Sequence, residues 1–352
     1  LVALYVPTVD GDIARADAAG AMFPLFAADP ARFDPLLLLL AAVALDAVVG
    51  DPAAIFRRLP HPVALVGMLI GRLEHRLNRQ DLSDRDRRLG GIVTVVVVVI
   101  AAAGVGVVVG TLAARSAWGA AAEVVVLTVL LAQRSLYDHV ADVASALDRE
   151  GLAGGRAAIR HIVGRDPDSL DEDGVARAAI ESLAENFSDG VVAPVFWFLL
   201  LGLPGICAYK AVNTLDSMIG HRSPRYRAFG WAAARLDDLA NLVPARLAGL
   251  LIAVAGGLTP RASGWDALMI MVRDARKHRS PNAGWPEGAM AGALDLSLAG
   301  PRRYGAELVD DPWIGAGSED AGSAEIRRAL GVFVVACVVE AALIGLAALL
   351  RA

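Results

Sequence analysis

The sequence predicts an all-α, polytopic helical membrane protein with about four to six transmembrane segments, joined by polar cytoplasmic loops and interfacial helices. Three observations carry this. Hydrophobic residues make up 56% of the 352 positions. Mean hydropathy is +0.51. Several apolar runs approach or exceed the roughly 20 residues that a spanning helix needs.

Residues 91–110 (GIVTVVVVVIAAAGVGVVVG) meet that length without a charge, and residues 329–350 meet it with Glu340 alone. Residues 35–50 (PLLLLLAAVALDAVVG) are short, with Asp46 near one end. Residues 117–133 carry Glu123, and residues 243–258 carry Arg246 near their start. Residues 190–208 are apolar but broken by Pro194 and Pro204-Gly205. The Val-rich stretch 93–99 has strand-like composition. The length of its apolar block and the lack of turn signals favour a membrane helix instead.

Loop charge orients the chain. Stretch 51–90 holds Arg57, Arg58, Arg72, Arg76, Arg79, Arg85, Arg87 and Arg88, whereas 111–116 holds only Arg115. The positive-inside rule puts 51–90 in the cytoplasm, with 134–189 and 259–328 on the same side. Within the first of these, PVALVGMLIGRLEHRLNR reads as an amphipathic helix lying at the interface. Simple alternation puts 209–242 outside if 190–208 crosses fully. A re-entrant or broken segment, with the break at Pro204-Gly205, returns that loop to the same side.

Residues 35–352 are read as one domain. Residues 1–34, with Asp10, Asp12, Asp17, Asp29 and Asp34, show no basic start followed by an apolar run and a small-residue cleavage site, and are read as an extension of unknown role. A net charge of -5 gives no reason to expect nucleic-acid binding. Cys207 and Cys337 each sit in an apolar run, which speaks for buried thiols and against a disulfide framework or zinc site. The only lysines are Lys210 and Lys277, and both fall in motif-dense stretches. The oligomeric state is open.

Three constellations carry polar chemistry. In DEDGVARAAIESLAENFSDG (171–190), Glu181, Glu185 and Asp189 recur every fourth residue, which on a helix puts three carboxylates on one face. Asn186 and Ser188 add neutral oxygens. A row of hard oxygens suits Mg²⁺; the competing reading is a solvated acidic face. The row runs straight into an apolar segment, where unpartnered carboxylates are costly. In residues 209–241, Lys210, Asn213, Asp216 and Ser217 form a polar stripe, and Asp237 and Asn241 stand four apart. Between them lie His221, Arg222, Arg225, Arg227 and Arg235, a cation density that suits an anionic phosphate or, equally, a positive-inside anchor. In residues 274–295, Lys277, His278 and Arg279 precede Ser280-Pro281-Asn282 and a Gly/Pro-rich run that reads as a shaped turn. A fourth, weaker set is Asp46, Asp51-Pro52 and His61-Pro62. His61, like His139 and His161, is read as structural. No Walker A loop, GxGxxG, HExxH, GxSxG or paired CxxC occurs.

Four segments together carry a family resemblance: GDPAAIFRRLPHPVALVGMLIGRLE, IVGRDPDSLDEDGVARAAIESLAENFSDGVVAPVFW, YKAVNTLDSMIGHRSPRYRAFGWAAARLDDLANLVPARL and SPNAGWPEGAMAGAL. In this order, between about residues 46 and 313, they resemble the adenosylcobinamide-phosphate synthase family of cobalamin biosynthesis. Phe187, Pro167 and His221-Arg222 depart from the family pattern and bear on substrate preference. The resemblance implies a multi-pass enzyme of the cell inner membrane. It would be a carbon–nitrogen ligase that joins adenosylcobyric acid to aminopropanol phosphate or ethanolamine phosphate, with ATP as co-substrate and Mg²⁺.

A carboxylate reacts with an amine only after its oxygen becomes a leaving group, and transfer of the ATP γ-phosphoryl group achieves that. Glu181, Glu185, Asp216 and His221 are the candidate acid–base groups. Glu185, Asn186, Asp189, Asp237 and Asn241 are the candidate metal ligands. Lys210, Asn213, Arg222, Lys277, Arg279 and Asn282 are the candidates for holding phosphate. Two readings from other classes compete. A transporter would carry matching broken helices in two repeats, and no repeat is found. A membrane sensor related to the family but without catalysis would lack motif residues, and these are intact.

Overall fold

The computed structural model describes residues 33–50, 60–114, 116–160, 162, 167–304, 307–309 and 311–351. Residues 1–32, Asp51-Pro52, Arg57, Arg58, Arg115, His161 and Arg165-Asp166 lie outside the described residues.

Helix α1 (Pro35–Val49) is capped by Asp34, whose carboxylate accepts from Leu36 N–H. Helix α2 (Pro62–Leu77) is capped by His61 Nδ1, which accepts from Val63 N–H. In both, proline occupies the first turn, where its missing N–H loses no hydrogen bond. Helices α3 (Asp84–Ala113), α4 (Ala117–Leu130) and α5 (Gln133–Ile159) follow. The Val-rich stretch 93–99 is helical, inside α3. Then come α6 (Glu172–Phe187), a π-helical turn (Ser188–Val192), α7 (Ala193–Ile219), α8 (Trp231–Ala240) and α9 (Leu242–Leu258). Helices α10 (Gly264–Asp274), α11 (Gly284–Leu294) and α12 (Ser323–Arg351) complete the set.

Four stretches are long and apolar enough to cross a membrane: Asp84–Ala113, Ala117–Ile159, Glu172–Ile219 and Ser323–Arg351. A fifth arises if α8 and α9, which meet at 47°, count as one broken span. The chain is thus a polytopic helical membrane protein, as its hydropathy predicts.

Helix α7 is not one rod. Gly202 adopts φ 63°, ψ -153°, a region essentially reserved for glycine. The chain reverses there. A Cβ placed on Gly205 would lie 2.3 Å from the Trp197 carbonyl oxygen, across the bend. Residues 193–201 therefore run into the bundle and residues 203–219 run back. The break falls at Gly202, two residues before the expected Pro204-Gly205. Pro204 sits just inside the returning arm, where its lack of an N–H is tolerated. The tip packs on α3 at Gly106, where a Cβ would meet the Leu203 carbonyl oxygen at 2.7 Å. Such backbone approach through small residues is how membrane helices gain contact.

Four hydrophobic clusters form among the described residues, and two of them are large. One joins Leu36 and Leu39 of α1, Leu127 of α4, Phe198 and Leu203 of the hairpin, and Ile344 of α12. The other joins Val140 of α5, Ile180 of α6, Ile252 of α9, Met290 of α11 and Phe333 of α12. Two short antiparallel pairs, absent from the sequence-based expectation, lie between α11 and α12. Strand β1 (Ser297–Ala299) pairs with β4 (Trp313–Gly315), and β2 (Arg302–Tyr304) with β3 (Glu307–Val309).

The expected shaped turn at 274–295 needs correction. Only 275–283 is irregular, beginning with a 3₁₀ turn (Ala275–Lys277), and the Gly/Pro-rich remainder is the buried helix α11. Its glycines serve packing. A Cβ on Gly292 would meet the Asp266 carbonyl oxygen of α10 at 2.3 Å. Close contact between helices outweighs the poor helix propensity of those glycines.

Candidate functional site

The hairpin brings the ends of three polar segments together. Asp189 lies in the π-helical turn, Asp216 on the returning arm of α7, and Asp237 on α8. Asp189 is close enough to feel Asp237, Glu185 and Asp216, and Asp237 likewise feels Asp216 and Asp238. Like charges gathered this closely call for a cation or protons among them.

One buried relay fixes the cluster. The Tyr209 hydroxyl is shared between Asn241 Oδ1 at 2.9 Å and the Asp189 carbonyl oxygen at 3.1 Å. Asn241 Nδ2 in turn donates to Asp237 Oδ2 at 3.1 Å. Asn213 lies beside the same carboxylate. Asp237 Oδ1 is buried and has no hydrogen-bond partner. Tyr209 and Asn241 are 2% and 1% exposed, so the relay excludes water. Both ends of the Asn241 amide are taken, which places it behind Asp237. Gly220 allows the Asp216 carboxylate to fold back, since a Cβ there would lie 1.9 Å from Asp216 Oδ1.

The other expected site residues divide into three groups. Glu185 and Asn186 are exposed beside Asp189. Asn186 Nδ2 donates to Ser182 O and Oγ at 2.9 and 3.1 Å, leaving its carbonyl oxygen outward. His221 stands near Asp216, with Arg222 exposed next to it and free of hydrogen bonds and ion pairs among the described residues. Lys210 is half-buried on the same arm of α7.

Glu181 parts from the row. Its Oε1 accepts from Ala299 N–H of β1 at 2.8 Å, in a buried contact. Four-residue spacing holds for Glu181 and Glu185 within α6, yet Glu181 is 5% exposed while Glu185 faces solvent. The face they share is wide enough to straddle a packing boundary.

The third segment forms a separate basic lobe. Lys277 Nζ lies 2.8 Å from Asp274, and Arg279 lies 2.7 Å from Asp311. Asp274, which is fully buried, also takes Arg273 at 2.6 Å and the Gly315 N–H at 2.9 Å. Burial pushes against its ionisation. The hydrogen bonds from Arg273, Lys277 and Gly315 outweigh that and hold the carboxyl well below the usual range. Asn282 ties this lobe to the carboxylates: its Nδ2 donates to Asp238 O at 2.8 Å, and its Oδ1 accepts from Arg246 at 3.1 Å. Tyr209 and Asp274 are the two groups that the site candidates miss. Helical spacing gives a weak signal for Tyr209, one residue before Lys210. Asp274 lies three before Lys277, a spacing that pairs them on a helical turn.

Among the described residues no three His, Cys, Asp or Glu side chains are already set as metal ligands. The donor set still suits Mg²⁺, which keeps several waters and needs only one or two carboxylates. The unpartnered Asp237 Oδ1 is the specific point of fit.

The fold and site define a helical membrane protein with a carboxylate cluster, braced by a buried tyrosine, where the hairpin of α7 meets the polar loops. The family described as CobD/Cbib protein matches residues 39–333, and the chain belongs to that family. It is 54% identical over 310 residues to a Sinorhizobium sp protein named Cobalamin biosynthesis protein CobD, covering 87% of this chain and 96% of the relative. A Brucella suis biovar 1 protein of the same name is 52% identical over 320 residues, covering 88% and 98%. One from Rhodobacter capsulatus is 47% identical over 314 residues, covering 89% and 97%. No solved structure matches the chain.

Proposed function

We propose that the chain acts in cobalamin biosynthesis as the amide-forming ligase adenosylcobinamide-phosphate synthase. It joins a carboxylate of adenosylcobyric acid to the amine of aminopropanol phosphate or ethanolamine phosphate, converting ATP to ADP and phosphate. Membership of the CobD/CbiB family and the names of its relatives support the pathway. One observation carries the chemistry: Asp189, Asp216 and Asp237, from three separate segments, lie within electrostatic reach of one another, and Asp237 Oδ1 is buried without a hydrogen-bond partner.

In this reading a substrate carboxylate oxygen attacks the γ-phosphorus and ADP departs. The resulting acyl phosphate is attacked by the amine, phosphate leaves and the amide remains. Bound Mg²⁺ would neutralise and align the phosphate oxygens. Asp189, Asp237 and Glu185 would hold it, with Asp216 beside them. Tyr209 and Asn241 fix the Asp237 carboxylate so that no reorganisation is needed. Arg222 and Lys210 attract the phosphate. His221, exposed next to Asp216, takes a proton from the substrate's ammonium so that the free amine can attack. Lys277 and Arg279 serve phosphate only by exchanging Asp274 and Asp311 for it.

The basic stretch 60–90 supports an inner-membrane protein whose site faces the cytoplasm, where ATP is available. The reversal at Gly202 supports a common side for segments 167–189 and 220–241.

The test is direct. Purified protein with adenosylcobyric acid, each amino-alcohol phosphate and Mg-ATP should give the corrinoid amide by mass spectrometry, with one ADP per amide. Amide formation without ADP, or no amide at all, refutes this reading.

A further inference from the structure

The outward face of α2 carries a charge that no described residue balances. Ile70 and Glu74 turn inward, and Glu74 Oε1 receives Arg225 at 2.8 Å and Asn78 Nδ2 at 3.0 Å. Arg87 Nε donates to Asn78 Oδ1 at 2.8 Å, so α2 is pinned to α3 and to the loop after α7. On the opposite face, Met68, Gly71, Arg72, His75 and Arg76 line an open cavity of about 540 Å³. Arg72, His75 and Arg76 are exposed, and none makes a hydrogen bond or ion pair among the described residues. Nearby arginines differ: Arg79 pairs with Asp81, Arg87 with Asp84 and Arg225 with Glu74.

One or two turns earlier on this face, Leu65 and Met68 are 48% and 46% exposed. The helix thus presents an apolar first half and a cationic second half to one side, the pattern of a helix lying in a headgroup layer. Basic groups at three- and four-residue spacing can share one phosphate. A free phosphate compound would satisfy the cations and leave Leu65 and Met68 in water. A phospholipid satisfies both halves. We propose that α2 docks on an anionic phospholipid, with Arg72, His75 and Arg76 on its phosphate and Leu65 and Met68 at the acyl boundary.

The test uses the full chain with Cys207→Ala, Cys337→Ala and Ala64→Cys, the new thiol carrying bimane, in phosphatidylcholine nanodiscs. Either brominated phosphatidylglycerol or brominated phosphatidylcholine replaces the same fraction of lipid. Phosphatidylglycerol should quench about threefold more strongly or better, because each basic side chain favours anionic lipid severalfold. The preference should vanish in Arg72→Gln/His75→Gln/Arg76→Gln. It should persist in Arg72→Lys/Arg76→Lys, which keeps the charge, and in Arg79→Gln, which removes a cation that is already paired. Equal quenching by the two lipids in the otherwise unaltered chain overturns the proposal. So does loss of the preference on adding millimolar inorganic phosphate or ATP, since the cluster would then be a soluble-phosphate site.

Discussion

The Tyr209 hydroxyl lies 3.1 Å from the Asp189 carbonyl oxygen. In a continuous helix those residues would stand about 30 Å apart. This contact makes the reversal at Gly202 a precondition of the carboxylate cluster, because it sets the returning arm of α7 beside the π-helical turn. Replacing Tyr209 with Phe should leave Asn241 Oδ1 and the Asp189 carbonyl short of a donor in a dry site. The expected loss is about 1–3 kcal/mol of stability, read as a lower melting temperature in detergent. Turnover should fall with it, since Asp237 loses its brace. An unchanged melting temperature together with unchanged turnover would remove Tyr209 from the site.

The carboxylates separate by role. Asp189→Asn and Asp237→Asn should each lower product formation by several decades while the protein stays folded and membrane-inserted. Glu185→Gln should do the same if its exposed carboxylate completes the metal set. A solvated helix face would instead tolerate the change within about 0.5 kcal/mol and keep activity. Excess Mg²⁺ should partly restore variants that bind the metal weakly. Near-normal turnover of all three at limiting Mg²⁺ would refute the metal assignment.

Topology can be read with single cysteines in a background lacking Cys207 and Cys337. Ser169, before α6, and Ser223, after α7, should both resist membrane-impermeant reagents in intact cells. Labelling of Ser223→Cys alone would mean that α7 crosses the membrane fully. Gly202→Val should cost a few kcal/mol, because no side chain is tolerated at its backbone angles.

Asp274 gives stability a pH signature. Its folded carboxyl is held below the unfolded value, so its contribution is complete above about pH 4–5 and drains away as pH falls through the folded value. Asp274→Asn should therefore melt lower than the unaltered protein at pH 7. The gap should narrow as the pH is taken toward 3. A gap that stays constant over that range would mean the aspartate acts by shape and not by charge.

Lys277→Ala tests the basic lobe. The ammonium lies 2.8 Å from Asp274 and is partly exposed. If it also serves phosphate, its loss should raise KM for ATP or the amino-alcohol phosphate by about one to two decades, more than for the corrinoid. A stability loss with both phosphate constants unchanged would confine Lys277 to holding Asp274.

Apolar length made the membrane helices legible, since the bilayer demands one dimension of every span. A break in 190–208 was also legible, though not its position. Pro204 and Gly205 are conspicuous, but the reversal needs one glycine with positive φ, and sequence does not say which of Gly202, Gly205 or Gly190 takes it. Helix α11 was obscured for a related reason: its glycines look like turn formers until α10 is seen against them. Asp189, Asp216 and Asp237 were each visible as polar residues beside apolar runs. Their meeting depends on the hairpin, and Tyr209 carried no signal beyond its place one residue before Lys210. Glu181 misled because helical spacing defines a face and says nothing of where its neighbours end.

The hairpin also bears on how the protein is made. On the proposed one-sided topology, this segment gives the translocon no ordinary stop-transfer signal. Its tip rests on Gly106 of α3 and packs among Leu36, Leu39 and Leu127. Those helices precede it in the chain, so its receiving surface already exists when residues 193–219 leave the ribosome. Ile344 and Ala348, from the same core, arrive last and close the seat from the far side. Order of synthesis and order of burial coincide, which lets a kinked, proline-bearing segment enter lipid without waiting there exposed.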